Sequence, residues 1–85
     1  MIILYIKRLK DIREDHDMLQ KQVASILKIT RQQYSLYETG ERSIPVDKLC
    51  VLAEFYNTST DYILGLTDNS NPYEKSKINK MNELK

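Results

Sequence analysis

Apolar side chains recur at three- and four-residue steps from Ile6 to Leu64, with polar residues filling the gaps. That spacing belongs to amphipathic helices packed on a common core. Ile6, Leu9 and Ile12 define a first helix with Lys7, Arg8, Lys10, Asp11 and Glu14 on its outer face, ending near His16. Asp17 followed by Gln20 has the form of a capping box, which predicts a second helix from Met18 or Leu19, with Val23, Ala24 and Leu27 inward. Thr30 is a suitable N-cap for a third helix over 31–38, burying Tyr34 and Tyr37. Gly40 stops it, since glycine takes the left-handed conformation at little steric cost. Pro45 suits the first position of a fourth helix, whose apolar face is Val46, Leu49, Cys50, Leu52, Ala53 and Tyr56, closed by Asn57. Ser59 or Thr60 caps a short fifth helix through Tyr62, Ile63 and Leu64, stopped by Gly65.

The expected class is therefore all-α, with one five-helix domain over residues 1–66 and a linker and polar tail over 67–85. The chain of 85 residues has room for one small domain. Two glycines and two prolines are too few for a turn-rich β fold. Asp68-Asn69-Ser70-Asn71-Pro72 reads as a linker by its turn chemistry. Beyond it, Ile78, Met81 and Leu84 lie three apart in a Lys- and Asn-rich stretch. That stretch is either a flexible polar tail or a marginal helix that orders against a partner.

Composition narrows the chemistry. Cys50 is the single cysteine and His16 the single histidine, so neither a disulfide framework nor a Cys/His metal site is available. No enzymatic activity and no cofactor are expected. No apolar run approaches membrane-spanning length, and no secretory signal is evident, which points to the cytoplasm. His16 reads as a helix-end residue and Cys50 as a small core residue.

The net charge of +1 hides an asymmetry. Asp11, Glu14, Asp15 and Asp17 crowd the end of the first helix, whereas residues 18–37 contain no acid and carry Lys21, Lys28 and Arg31. The same stretch holds Gln20, Gln22, Gln32 and Gln33. Such a face either meets a polyanion or is a chance run of twenty residues. In a major groove, glutamine pairs with adenine and arginine with guanine.

The spacing of the second and third helices across a short turn describes a helix-turn-helix. The run Met18-Leu19-Gln20-Lys21-Gln22-Val23-Ala24, continuing through Leu27-Lys28-Ile29-Thr30-Arg31 to Tyr37-Glu38-Thr39-Gly40, resembles the Cro/phage-repressor (XRE-like) family of DNA-binding domains. The resemblance continues through Ile44-Pro45, the Leu49–Tyr56 helix and Asp61-Tyr62-Ile63-Leu64-Gly65, covering about residues 5–66. It implies a lambda-repressor-like fold and a sequence-specific regulator of transcription, a repressor that binds double-stranded DNA as a homodimer on a pseudo-palindrome. Carried onto matching positions, the third helix is the recognition helix. Arg31 and Gln32 lead as base readers, followed by Gln33, Ser35 and Leu36, the last toward a thymine methyl. Gln20, Lys21, Thr30, Thr39, Arg42 and Ser43 are the implied phosphate contacts. Arg13 and Glu38 match the family's structural ion pair between the first and third helices. Two positions depart from the pattern: Lys28 stands at the usual glycine of the turn, and Leu19 replaces the usual serine cap.

Three sequence features are candidates for the dimer contact: the apolar start Ile2-Ile3-Leu4-Tyr5, the fifth-helix surface, and the Ile78/Met81/Leu84 stripe. The alternative function is an antitoxin or protein-interaction adaptor that engages a protein partner through the tail.

Overall fold

The computed structural model describes residues 6–74. The regular structure among them is helical: α1 (Lys7–Asp15), α2 (Gln20–Leu27), α3 (Arg31–Thr39), α4 (Val46–Phe55) and α5 (Thr60–Leu64). Each helix removes at least one side chain fully from solvent, namely Leu9, Val23, Tyr34, Leu52 and Ile63 in chain order. Burying an aliphatic side chain of this size contributes about 1.5–3 kcal/mol, so the five short helices hold each other rather than standing alone. Tyr37, on the same inner face of α3 as Tyr34, is also buried.

Most helix ends follow the predicted chemistry. Thr30 caps α3: its Oγ1 accepts from the Gln33 amide at 3.1 Å, and the Gln33 Oε1 accepts from the Thr30 amide at 3.0 Å. Gly40 (φ 80°) and Gly65 (φ 81°) end α3 and α5 in the left-handed region. Ser59 is the cap of α5, accepting from the Tyr62 amide at 3.0 Å.

Four expectations are corrected. Asp17 does not cap α2; it sits in the preceding turn at φ 54°. The N-cap is Leu19, whose side chain has no acceptor, and the Gln22 Oε1 reaches back to the Leu19 amide at 2.7 Å. Pro45 is the N-cap of α4 rather than its first residue. Cys50 is exposed, not core. The inward stripe of α4 is Leu49, Leu52, Ala53 and Tyr56, and Cys50 lies about 100° round the helix from Leu49. Val46 is likewise 75% exposed.

The α2–α3 turn is tight. Lys28 takes the left-handed conformation (φ 59°, ψ 42°), and its amide reaches Ser25 O at 3.1 Å while that of Ile29 reaches Ala24 O at 3.0 Å. A Cβ there carries a steric cost that glycine lacks. Lys28→Gly is therefore expected to stabilise the domain by about 0.5–1 kcal/mol, raising Tm by roughly 3–6 °C. Thermal melting followed by circular dichroism checks this, and a lower Tm would show that the lysine side chain itself contributes.

After α5 the chain turns back on the helices without regular structure. One Arg8 guanidinium nitrogen donates to Tyr62 O at 2.8 Å and to Thr67 O at 2.7 Å, and the other to Asp68 Oδ1 at 3.1 Å. The same guanidinium lies 4.3 Å from the centre of the Tyr62 ring. Thr58 Oγ1 donates to Ser70 O at 2.6 Å, and the Tyr73 hydroxyl to Asp61 at 3.1 Å. His16 closes α1, with Nδ1 2.9 Å from Ile12 O and its ring 4.8 Å from that of Tyr56. The apolar start (Ile2, Ile3, Leu4, Tyr5) and the Ile78/Met81/Leu84 stripe lie outside the described residues.

Candidate nucleic-acid interface

The two halves of the helix-turn-helix are α2 and α3, joined through Lys28, Ile29 and Thr30. Burial of Tyr34 and Tyr37 turns the opposite face of α3 outward. Arg31, Gln32 and Gln33 are exposed in its first turn, while Ser35 and Leu36 are half-buried one turn further on. Lys21 is exposed on the first turn of α2, and Lys28 stands exposed at the turn between the two helices. Neither lysine takes part in an ion pair among the described residues. The acid-free stretch of sequence thus becomes one continuous structural unit with uncompensated positive charge. Such a unit suits a polyanion.

Hydrogen bonding divides the candidate residues into free and engaged. The Gln32 side chain has no hydrogen-bond partner among the described residues, and its amide is available. Gln33 is engaged through its carbonyl oxygen in the α3 cap, leaving its amide N–H groups. Thr30 uses its hydroxyl oxygen as an acceptor and keeps its O–H to donate. Thr39 turns its hydroxyl back to Leu36 O at 3.2 Å. Arg42 and Ser43 are exposed in the loop after α3, which the Arg42 amide pins to Leu36 O at 3.2 Å.

Beneath this surface lies a buried ion pair. Arg13 Nε and Nη2 donate to the two carboxylate oxygens of Glu38 at 2.7 and 3.1 Å, and Nη1 donates to Met18 O at 2.8 Å. The two side chains retain 11% and 3% of their exposure, so water screens the pair weakly. Burial pushes the Glu38 carboxyl up, but Arg13, Tyr34 and Gln20 around it outweigh burial and hold it below the ordinary glutamate range. The hydrogen bond to Glu38 in turn raises Arg13. Gln20 extends this network. Its Nε2 donates to Glu38 Oε1 at 3.0 Å, and its Oε1 accepts from Arg31 Nη1 at 3.2 Å. The sequence pattern placed Gln20 at the start of α2 but showed neither of these bonds, which depend on side chains 18 and 11 positions away.

Among the described residues no cluster of His, Cys, Asp or Glu is arranged to hold a metal ion. No described helix is long and apolar enough to cross a membrane.

A family model for the helix-turn-helix matches residues 9–63, from the inner face of α1 to the last turn of α5. The chain belongs to the Cro/phage-repressor type of the helix-turn-helix family. This family is one of DNA-binding transcriptional regulators, and two relatives of this chain carry such names. The HTH-type transcriptional regulator YobD of Bacillus subtilis is 41% identical over 69 residues, covering 81% of this chain and 62% of that protein. The HTH-type transcriptional regulator ImmR of the same organism is 39% identical over 74 residues, covering 87% of this chain and 58% of that protein. Antitoxin PezA of Streptococcus pneumoniae is 32% identical over 68 residues, covering 80% and 43%. The chain therefore spans about three fifths or less of the length of these curated relatives. A crystal structure of a transcriptional regulator from Listeria innocua shares the fold, with a TM-score of 0.69 at 20% identity, covering 99% of this chain and 76% of that one.

Proposed function

We propose that this helix-turn-helix protein binds double-stranded DNA sequence-specifically and represses transcription, with α3 lying in the major groove. The observation that carries this reading is the exposed first turn of α3, where Arg31 and Gln32 project from a helix anchored by its opposite face. Arginine can donate twice to guanine and glutamine can pair with adenine, so this turn has the chemistry of direct readout. Gln33, Ser35 and Leu36 complete the base-facing set. Gln20, Lys21, Thr30, Thr39, Arg42 and Ser43 form the phosphate-facing set, which positions the domain without reading sequence. A single module of this kind covers roughly 600–1,000 Å². A homodimer on a pseudo-palindrome, with half-sites about one helical turn apart, supplies the remaining specificity. The reading needs no cofactor and no catalysis, and it places the protein in the cytoplasm.

Selection from random duplex DNA at stated salt tests it. The expected result is a two-fold motif. Arg31→Ala or Gln32→Ala should each cost about 1–3 kcal/mol and flatten preference at one base position. Arg42→Ala should instead weaken all duplexes alike and reduce the salt dependence. A folded protein that enriches no motif would overturn the proposal.

The similarity to PezA supports a second reading, in which the same domain belongs to an antitoxin that also engages a protein. A stoichiometric partner copurifying with the full chain, and lost on deleting residues 75–85, would favour it.

A further inference from the structure

The outer side of α4 is apolar where a solvent-facing helix is usually polar. Val51 and Phe55 lie four residues apart and keep 44% and 46% of their exposure, so they form one patch on the helix surface. Asp47 and Glu54 are exposed on the same stripe, which runs i, i+4, i+7, i+8 from Asp47 to Phe55. Cys50 is exposed along its edge. Neither Val51 nor Phe55 belongs to the core beneath α4, and neither is part of the α2–α3 unit.

The chain that returns after α5 leads to this face. The Thr58 hydroxyl donates to Ser70 O at 2.6 Å, and the Tyr73 hydroxyl donates to Asp61 at 3.1 Å. Pro72, Tyr73 and Glu74 thereby form one wall of a groove whose other wall is Cys50, Ala53 and Glu54 of α4. The described residues end at Glu74, and residues 75–85 continue from that groove. In their sequence Ile78, Met81 and Leu84 recur three apart among Lys75, Lys77, Lys80 and Lys85, with Glu83 as the acid. At helical rise those three apolar residues would extend over about 9 Å, within the roughly 15 Å of the ten-residue α4. The lysines are opposite in sign to Asp47 and Glu54.

We propose that residues 75–85 of the same chain cover the outer face of α4, placing Ile78, Met81 and Leu84 on Val51 and Phe55. Two observations select this occupant. The groove delivers the chain to one edge of the face, so only a short loop has to close and the entropic cost is small. The segment also carries the apolar spacing and the positive charge that this face calls for. The tail is then part of the domain, and a protein that engages it must first uncover α4.

Amide hydrogen exchange of the full chain, measured residue by residue at two protein concentrations, tests the proposal. Three proteins are compared: wild type, Val51→Asp with Phe55→Asp, and Met81→Asp, each checked for helix content by circular dichroism. In wild type the amides of residues 78–84 should exchange about tenfold or more slowly than in either variant. That protection should be the same at both concentrations. Met81→Asp leaves every residue of the helical domain in place, so the test stands even if the α4 variant fails to fold. Exchange at free-chain rates in wild type would overturn the proposal. Protection that disappears on dilution, as the measured mass falls to that of one chain, would assign the face to a second copy and overturn it equally. Protection lost in Met81→Asp but kept in a folded Val51→Asp/Phe55→Asp variant would place the segment on some other surface, and the proposal would fail.

Discussion

Replacing Arg13 by methionine should cost about 3–5 kcal/mol of folding stability, because it strands a charged partner inside the protein. Glu38 retains 3% of its side-chain exposure and accepts from Arg13 at both oxygens. The methionine would remove the charged partner and leave the carboxylate to neutral groups such as the Gln20 amide. A small domain has only about 5–15 kcal/mol in total, so the urea midpoint should fall sharply. Replacing both partners, Arg13→Met with Glu38→Leu, should recover much of the loss, since apolar substitutes for a buried pair are often neutral. A single variant as stable as wild type would show that the pair contributes nothing. The same pair predicts an acid sensitivity of definite sign. Glu38 is held below its ordinary value of 4.5, so it contributes stability above that value and loses it as pH falls through the lowered one. The difference in stability between wild type and Glu38→Gln should therefore shrink as the solution is acidified below about pH 4.5.

The second large effect should come from Tyr34→Ala, at about 3–5 kcal/mol. Tyr34 is fully buried on the inner side of α3, and truncation leaves a cavity between α3 and the helices beneath it. Tm should drop by well over about 10 °C in a domain of this size. A shift of a few degrees would mean that the neighbouring helices collapse into the space. The position matters beyond stability, because the packing of Tyr34 decides which side of α3 is presented outward.

Much of this architecture is legible in the sequence, and the exceptions have a common cause. Thr30 with Gln33, Gly40, Ser59 and Gly65 mark helix ends through contacts within a few residues, so spacing reveals them. Leu9, Val23, Tyr34, Leu52 and Ile63 follow from helical periodicity for the same reason. Asp17 misleads because it offers good cap chemistry two residues early, while Gln22 satisfies the Leu19 amide from inside the helix. Cys50 misleads because α4 has more apolar positions than the core accepts, and their order does not say which stripe turns inward. The first turn of α3 stands out by composition, but the Gln20 bridge between Glu38 and Arg31 is decided by the way α2 and α3 pack. No local pattern records it. Nor does one record the turning back of residues 67–74, which is held by Arg8 some sixty positions earlier and by Thr58 and Asp61.

That Arg8 contact also bears on the order in which the molecule is completed. Its acceptors, Tyr62 O, Thr67 O and Asp68, are separated from it by 54 to 60 residues, whereas the α2–α3 turn closes through neighbours. Contacts so distant in sequence carry the entropy of closing a long loop, and they slow folding relative to local ones. During synthesis the α2–α3 pair can pack while the ribosome still holds the residues that clasp Arg8. The clasp is expected to close after that pair has packed, so that the surface carrying Arg31 is assembled before the two ends of the domain meet.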